Sequence, residues 1–493
     1  LTGLASFESS CVYPDESTFK ERIMSQANHS PLPVAIIGAG PVGLAAAAHL
    51  IDRGLEPVIL ERGTRVADHF RQFAHVRLFS PWRYNIDKAV SHRLRLAGWQ
   101  EPELDGLPTA GEVVDSYLEP FANLPEVSPK LRLGSKVIAI SRDGFDKVKT
   151  EGREHSPFIL RYEDTSGRVH ELKAKAIIDA SGTWSQPNPL GANGLPAPGE
   201  QEAHDRIFYG IPDILGRLRH RYAGKRVLVV GAGHSAANSL LALAELAQAE
   251  PGTQVAWAIR SRSLARVYGG GAADALPARG ELGSALQRLY ETGSIQLVTS
   301  FRLSRIEPAA GGNLSVIGLD ADGREARIDE LAEIIAATGQ RPDFAMSREL
   351  RLKLDPWLES SEALGPLIDP NLHSCGTVRP HGHRELSHPE PGFYTAGVKS
   401  YGRAPTFLMA TGYEQVRSIA AALAGDLAAA DEVQLDLPQT GVCSVTLNGQ
   451  TPTSAGCCGV AAKPKGGCDD GSGCGVSAAA NSAPVAQPGS CCA

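Results

Sequence analysis

Two segments of this 493-residue chain place glycines between apolar runs in the pattern that cradles a dinucleotide. The first reads PVAIIGAGPVGLAAAAHL and sets Gly38, Gly40 and Gly43 around Pro41 and Val42. The second reads RVLVVGAGHSAANSLLAL and sets Gly231, Gly233 and Ala236 around His234 and Ser235. In each, a β-branched run enters the turn and a helical pattern leaves it. The first glycine permits a tight turn, the second lets backbone approach a pyrophosphate, and the third position lets the helix pack closely. Glu61 follows Gly40 by 21 residues at the end of the next strand pattern, with Arg62 beside it. That is the spacing at which a carboxylate meets a ribose hydroxyl. Arg260 and Arg262 occupy the matching strand end in the second half. Guanidinium groups there would pair with a 2′-phosphate and favour NADPH over NADH, the alternative being a solvated basic turn. Two nucleotides held by one chain imply electron transfer between them, and the expected pair is a flavin and a nicotinamide.

The elements that must carry these motifs repeat a plan. Val34–Ile37 reads as a strand, Val42–Arg53 as a helix and Pro57–Leu60 as the next strand. Strand patterns at Phe158–Tyr162 and Val169–Leu172 flank a turn at Asp164–Gly167, and Ala176–Ala180 runs into Ser181-Gly182. The second half gives a strand at Val227–Val230, a helix to about Ala249, a strand at Gln254–Ile259 and a hairpin turning at Asp320–Gly323. A strand from Glu333 then ends at Thr338-Gly339. The segment Gly392–Gly397 reads as a last strand and Thr406–Leu423 as a last helix. The expected class is α/β, with two Rossmann-like dinucleotide-binding domains and a Cys-rich C-terminal tail. The expected boundaries are an N-terminal extension over 1–30, a first domain over 31–200 and 335–430, a second over 201–334, and a flexible tail over 431–493.

Composition narrows the function. The net charge of −7 offers no basic footprint for nucleic acid or membrane. No stretch approaches about 20 uninterrupted apolar residues, so a membrane span is not expected. The first residues carry acids and no apolar core, so they do not read as a secretory leader, and the cytoplasm is expected. Of nine cysteines, seven lie between Cys443 and Cys492, and residues 12–374 contain none. Oligomeric state is unreadable here, with a homodimer as the default expectation.

The order GAGPVG, Glu61, IIDASG, GAGHSA, IIAATGQRPD and GFYTAG resembles the flavoproteins with two dinucleotide-binding domains, over roughly residues 33–426. The resemblance implies FAD in the first domain and NAD(P)H in a domain inserted into it. The absence of a cysteine pair beside the flavin points to the branch similar to flavin-containing monooxygenases. In that branch reduced flavin traps O2 as a C4a-(hydro)peroxide and oxygenates a small soft nucleophile. The linker departs from that branch's fingerprint, because Ala197 stands where a Phe is expected and Gly199 and His204 are one residue too far apart. Val398 replaces the Asp that the reductases carry after Ala-Gly.

The resemblance also places Trp82, Arg83 and Asn85 near the isoalloxazine as catalytic candidates, and Gly182, Thr338, Gly339, Gly397, Lys399 and Thr406 at the cofactors. The segment SYGRAPTFLMATGYEQVRS and the Cys-rich tail further resemble flavoproteins of bacterial arsenic-resistance loci. Cys457, Cys458, Cys491 and Cys492 are candidate ligands for a thiophilic metal or metalloid such as As(III). His373, Cys375, His381, His383 and His388 crowd one Pro- and Gly-rich loop, but their spacing is poor for a metal site. Two alternatives stand beside the monooxygenase: an NADPH-dependent reductase of metal ions or disulfides that uses the tail thiols, and a metalloid-binding protein.

Overall fold

A computed structural model describes residues 32–435, apart from 269–270, 272–273, 275, 373–377 and 406. The N-terminal extension, Thr406, His373, Cys375 and the four candidate tail cysteines lie outside the described residues.

The chain opens with strands β1 (Val34–Ile37), β2 (Pro57–Leu60) and β3 (Leu131–Arg132). An antiparallel meander follows, made of β4 (Lys136–Arg142), β5 (Phe158–Glu163) and β6 (Val169–Ala174), and then β7 (Ala176–Asp179). A second series comprises β8 (Ile207–Tyr209), β9 (Arg226–Val230), β10 (Gln254–Ala258) and β11 (Gln296–Val298). It continues through a second meander, β12 (Arg302–Pro308), β13 (Leu314–Leu319) and β14 (Glu325–Leu331), and ends with β15 (Glu333–Ala336). Strand β16 (Phe393–Thr395) comes last. The longer helices are α1 (Pro41–Asp52), α2 (Lys88–Leu96), α3 (His234–Ala249), α4 (Pro277–Glu291) and α5 (Met409–Leu423).

Two parallel sheets result. The first has the order β16-β7-β1-β2-β3 and the second β11-β10-β9-β15-β8. The first therefore takes strands from both ends of the described chain. Register sets the sites. Ile37 lies opposite both Leu60 and Asp179, and Asp179 lies opposite Thr395. Four carboxyl-terminal strand ends thus align in one rim, the edge where open α/β sheets take ligands. Val230 lies opposite Ala258 and Ala336 and forms an equivalent rim in the second sheet.

Strands β1 and β2 are apolar along their whole length because they lie inside a covered sheet. In α1 the run Leu44–Ala48 is fully buried, with Leu50, and the small alanines let the helix lie close to β1. Helix α1 begins one residue before its sequence expectation because Pro41 fits the first helical position, where no backbone N–H is needed. Helix α5 begins at Met409 and not at residue 406. Helix α4 has no counterpart in the sequence reading, since Gly280 and Gly283 interrupt its pattern. Their hydrogens make room for neighbours: a Cβ would stand 2.0 Å from the Gly271 oxygen at one and from the Tyr268 oxygen at the other.

Candidate cofactor and active site

The rim of the first sheet borders a cavity of about 550 Å³. That is within the range of small-molecule sites. The loop after β1 forms one wall. Gly38 has φ +99°, a conformation that L side chains rarely adopt, and a Cβ there would press on the Ala180 oxygen at 2.8 Å. Gly43 gives α1 its close approach, since a Cβ would lie 2.0 Å from the Gly38 oxygen. Gly40, by contrast, faces open space, and as N-cap of α1 it brings no side chain to the free amides of the first turn. The 12-residue helix therefore offers its bare positive end to an anion beside Pro41 and Val42, which also line the cavity.

Glu61 braces this loop. Its Oε2 accepts the Ala39 N–H and its Oε1 accepts the Gly63 N–H, each at 2.7 Å. Burial pushes its pKa up, and those two backbone hydrogen bonds pull it back. The carboxylate lines the cavity together with Arg62, whose Nη2 meets His69 Nε2 at 2.8 Å. Gly182 and Gly397 line the cavity from the turns after β7 and β16. Gly397 donates its N–H to Gln415 Oε1 at 2.7 Å. Gln415 Nε2 in turn donates to Ser400 Oγ and to His381 Nε2, both at 2.9 Å. His381 is held neutral by burial, which depresses its pKa, so its Nε2 can accept. This polar chain fixes the last loop against α5, whose first residue, Met409, also lines the cavity. The sequence reading did not single out Gln415. A glutamine nearly two turns into the last helix, on its buried side, is its signal.

Lys399 does not line the cavity. Its Nζ is buried against Asp179 Oδ2 at 2.7 Å and Ser181 Oγ at 3.0 Å. Asp179, the acid of the IIDASG motif, ends β7. It is fully buried and also accepts from the Ser181 hydroxyl at 2.7 Å. The pair ties β7 to the loop after β16 and engages the lysine Nζ with that carboxylate.

The three catalytic candidates are likewise placed away from the cavity wall. Asn85 is fully buried and consumed by its own turn. Its Nδ2 donates to the Ser80 and Pro81 oxygens at 2.7 and 3.0 Å, and its Oδ1 accepts from Ser80 Oγ. Trp82 belongs to the first-sheet core, and the exposed Arg83 pairs with Asp105. The aromatic wall of the cavity is instead Phe70, Phe73 and Trp184, with successive ring centroids 5.0 Å (Phe70–Phe73) and 4.7 Å (Phe73–Trp184) apart.

The second glycine loop repeats the first. Gly231 has φ +136°, and a Cβ would stand 2.1 Å from the Ala337 oxygen, whereas Gly233 faces open space at the uncapped N-terminus of the 16-residue α3. Ala236 is buried, and the His234 ring packs on Phe79 at 4.8 Å. Ser235 and Gly339 line a second cavity of about 110 Å³ there. Thr338 Oγ1 donates to the Asn188 oxygen at 2.6 Å and knits this end to the linker after β7. Arg260 and Arg262 follow β10 with exposed side chains. Both glycine loops and the uncapped helix ends fit dinucleotide phosphates. Among the described residues, no group of three or more His, Cys, Asp or Glu side chains is placed to hold a metal ion. None of their helices is long and apolar enough to cross a membrane.

Comparison with known proteins agrees with this architecture. The family described as pyridine nucleotide-disulphide oxidoreductase matches residues 32–379. Flavin-containing monooxygenase FMO GS-OX-like 2 of Arabidopsis thaliana is 25% identical over 239 residues, 44% of this chain and 48% of its own length. The chain thus spans about half the length of that relative. Ferredoxin–NADP reductase of Thermus thermophilus is 23% identical over 356 residues, 70% of this chain and 84% of its own. Among solved structures, bacillithiol disulfide reductase Bdr (YpdA) from Bacillus cereus shares the fold with a TM-score of 0.59. That match has 19% identity and covers 80% of this chain and 99% of that one.

Proposed function

The chain belongs to the pyridine nucleotide-disulphide oxidoreductase family, with FAD and NAD(P)H as cofactors, and we propose that it is an NADPH-dependent flavoprotein monooxygenase. One observation carries the reading: the large cavity is lined by the glycine loops, aliphatic and aromatic side chains and charged groups such as Glu61 and Arg62, and no cysteine lies among its lining residues. The sequence supplies none between residues 12 and 374. A disulfide reductase of this architecture needs a thiol pair to receive electrons, whereas oxygen needs only access to a dry site. When bound, FAD takes two electrons from the nicotinamide and passes them to O2.

This chain's residues bind and shield. The free amides after Gly40 and Gly233 hold the two diphosphates, and Glu61 accepts from a ribose hydroxyl of FAD while bracing its loop. The positive end of α5 stabilises negative charge at the cavity. Arg260 and Arg262 take the 2′-phosphate of NADPH. The substrate we propose is a small soft nucleophile. The thiol-rich tail, with Cys457, Cys458, Cys491 and Cys492, favours a trivalent arsenical or similar thiophile.

The test is turnover with NADPH and isotopically labelled O2 on trivalent arsenite, a thioether and an amine. Labelled oxygen in a product is expected. Release of all reducing equivalents as hydrogen peroxide with every candidate would sink the reading. A reductase is the second reading, favoured by the greater share of the ferredoxin–NADP reductase relative that this chain covers. It would show as NADPH-driven reduction of an acceptor protein, a metal ion or a disulfide without oxygen.

A further inference from the structure

We propose that Trp184 is a movable partition between the two cavities, latched by Gln72, and that it controls access of the nicotinamide ring to the flavin. The inference rests on the assignment of the larger cavity to FAD and the smaller to NADP(H). Trp184 and Gln340 line both cavities. Trp184 sits two residues after Gly182 in the turn that leaves β7, and Ser235 at the start of α3 lines the smaller cavity on its other side. A nicotinamide extended from a diphosphate at α3 must therefore pass the indole to meet a flavin.

The ring is held by few contacts. One face tilts against Phe73 at 4.7 Å. Its Nε1–H donates to Gln72 Oε1 at 2.7 Å. Its far edge nearly touches Gly210 in the turn after β8, where a Cβ would come within 3.2 Å of Cζ2. The side chain is only half-buried, so it is not locked as a core tryptophan would be. Gln72 is exposed and lines neither cavity. Holding the indole is thus the one polar contact that its side chain makes among the described residues. Phe70, Phe73 and Trp184 also form an aromatic file suited to a flat cationic ring, so an indole swung aside becomes a wall for the incoming nicotinamide.

A closed partition lowers the apparent affinity for NADP⁺ by the fraction of molecules that are open. Removing one neutral hydrogen bond should shift that fraction by about fivefold. The test titrates the FAD-loaded full chain with NADP⁺, by calorimetry and by tryptophan emission, without turnover. Gln72→Leu and Trp184→Phe should each tighten the NADP⁺ Kd by about fivefold. The double variant should be no tighter than either, because both remove the same bond. The emission change that NADP⁺ causes in the parent should be largely lost in Trp184→Phe. Kd values within about twofold of the parent in both single variants, or effects that multiply in the double variant, would overturn the partition. A parent protein that holds FAD but binds neither NADP⁺ nor NAD⁺ would instead overturn the cavity assignment, and the partition with it.

Discussion

Glu61 shows how one side chain serves two tasks. Its two oxygens hold the Ala39 and Gly63 amides, and the same carboxylate borders the cavity. Glu61→Gln keeps the shape but replaces one acceptor with a donor that faces a backbone N–H. An amide left unpaired in that setting weakens FAD binding by roughly 10- to 100-fold. Titration of apoprotein with FAD, followed by flavin fluorescence, checks this. His388 gives a residue-scale pH dependence. Burial depresses its pKa to about 4, with Nε2 3.2 Å from Thr395 Oγ1. The unfolded chain, with an ordinary value near about 6.5, takes up the proton first as pH falls. Stability from this group is therefore full above about pH 6.5 and declines as pH falls toward about 4, by on the order of 3 kcal/mol. Urea unfolding between these pH values should show the decline, and His388→Asn should flatten it. The residue scale is also where order along the chain says least. Trp82, Arg83 and Asn85 have reactive or aromatic side chains, but nothing in their order reveals that Asn85 closes its own turn onto Ser80 and Pro81. Asp179 and Lys399 are 220 residues apart, so their buried pairing is invisible until β7 and the loop after β16 are adjacent.

At the scale of elements, positions follow from the strand ends. Arg260 and Arg262 follow β10 at the rim where α3 presents its free amides, and exposed guanidinium groups there suit a 2′-phosphate. Arg260→Ala with Arg262→Ala should lower the NADPH-to-NADH ratio of kcat/KM by roughly 10- to 100-fold, with the NADH value itself little changed. Steady-state reduction of a dye acceptor with each cofactor measures it. An unchanged ratio would return both arginines to the status of a solvated turn. These strand ends were legible because apolar runs stopped by glycine allow few alternatives: β1 and β2 have the expected bounds. Helix α4 was hidden because Gly280 and Gly283, each costing about 1 kcal/mol in a helix, obscure its period. The helical insertion between β2 and β3 was passed over as well. Yet Thr109 and Glu112 form a capping box within it, and that T-x-x-E signal marks the start of the helix at Ala110.

The whole molecule joins a cofactor-binding body to a tail whose cysteines the body does not require for its cavities. The described residues already supply both glycine loops, both uncapped helix ends and the aromatic wall. If the tail gathers a thiophilic substrate, it acts by effective concentration, which raises encounter with the site but leaves the bound complex unaltered. Replacing Cys457, Cys458, Cys491 and Cys492 together by Ser should then raise the KM for trivalent arsenite by roughly tenfold and leave kcat within about twofold. Anaerobic reduction of the flavin by NADPH, followed by absorbance, should keep its parent rate. A reductase that passed electrons through these thiols would behave in the opposite way: its kcat would collapse in the four-serine variant even at saturating substrate, because the thiols would be reactants and not collectors. The split between KM and kcat therefore decides which role the tail plays.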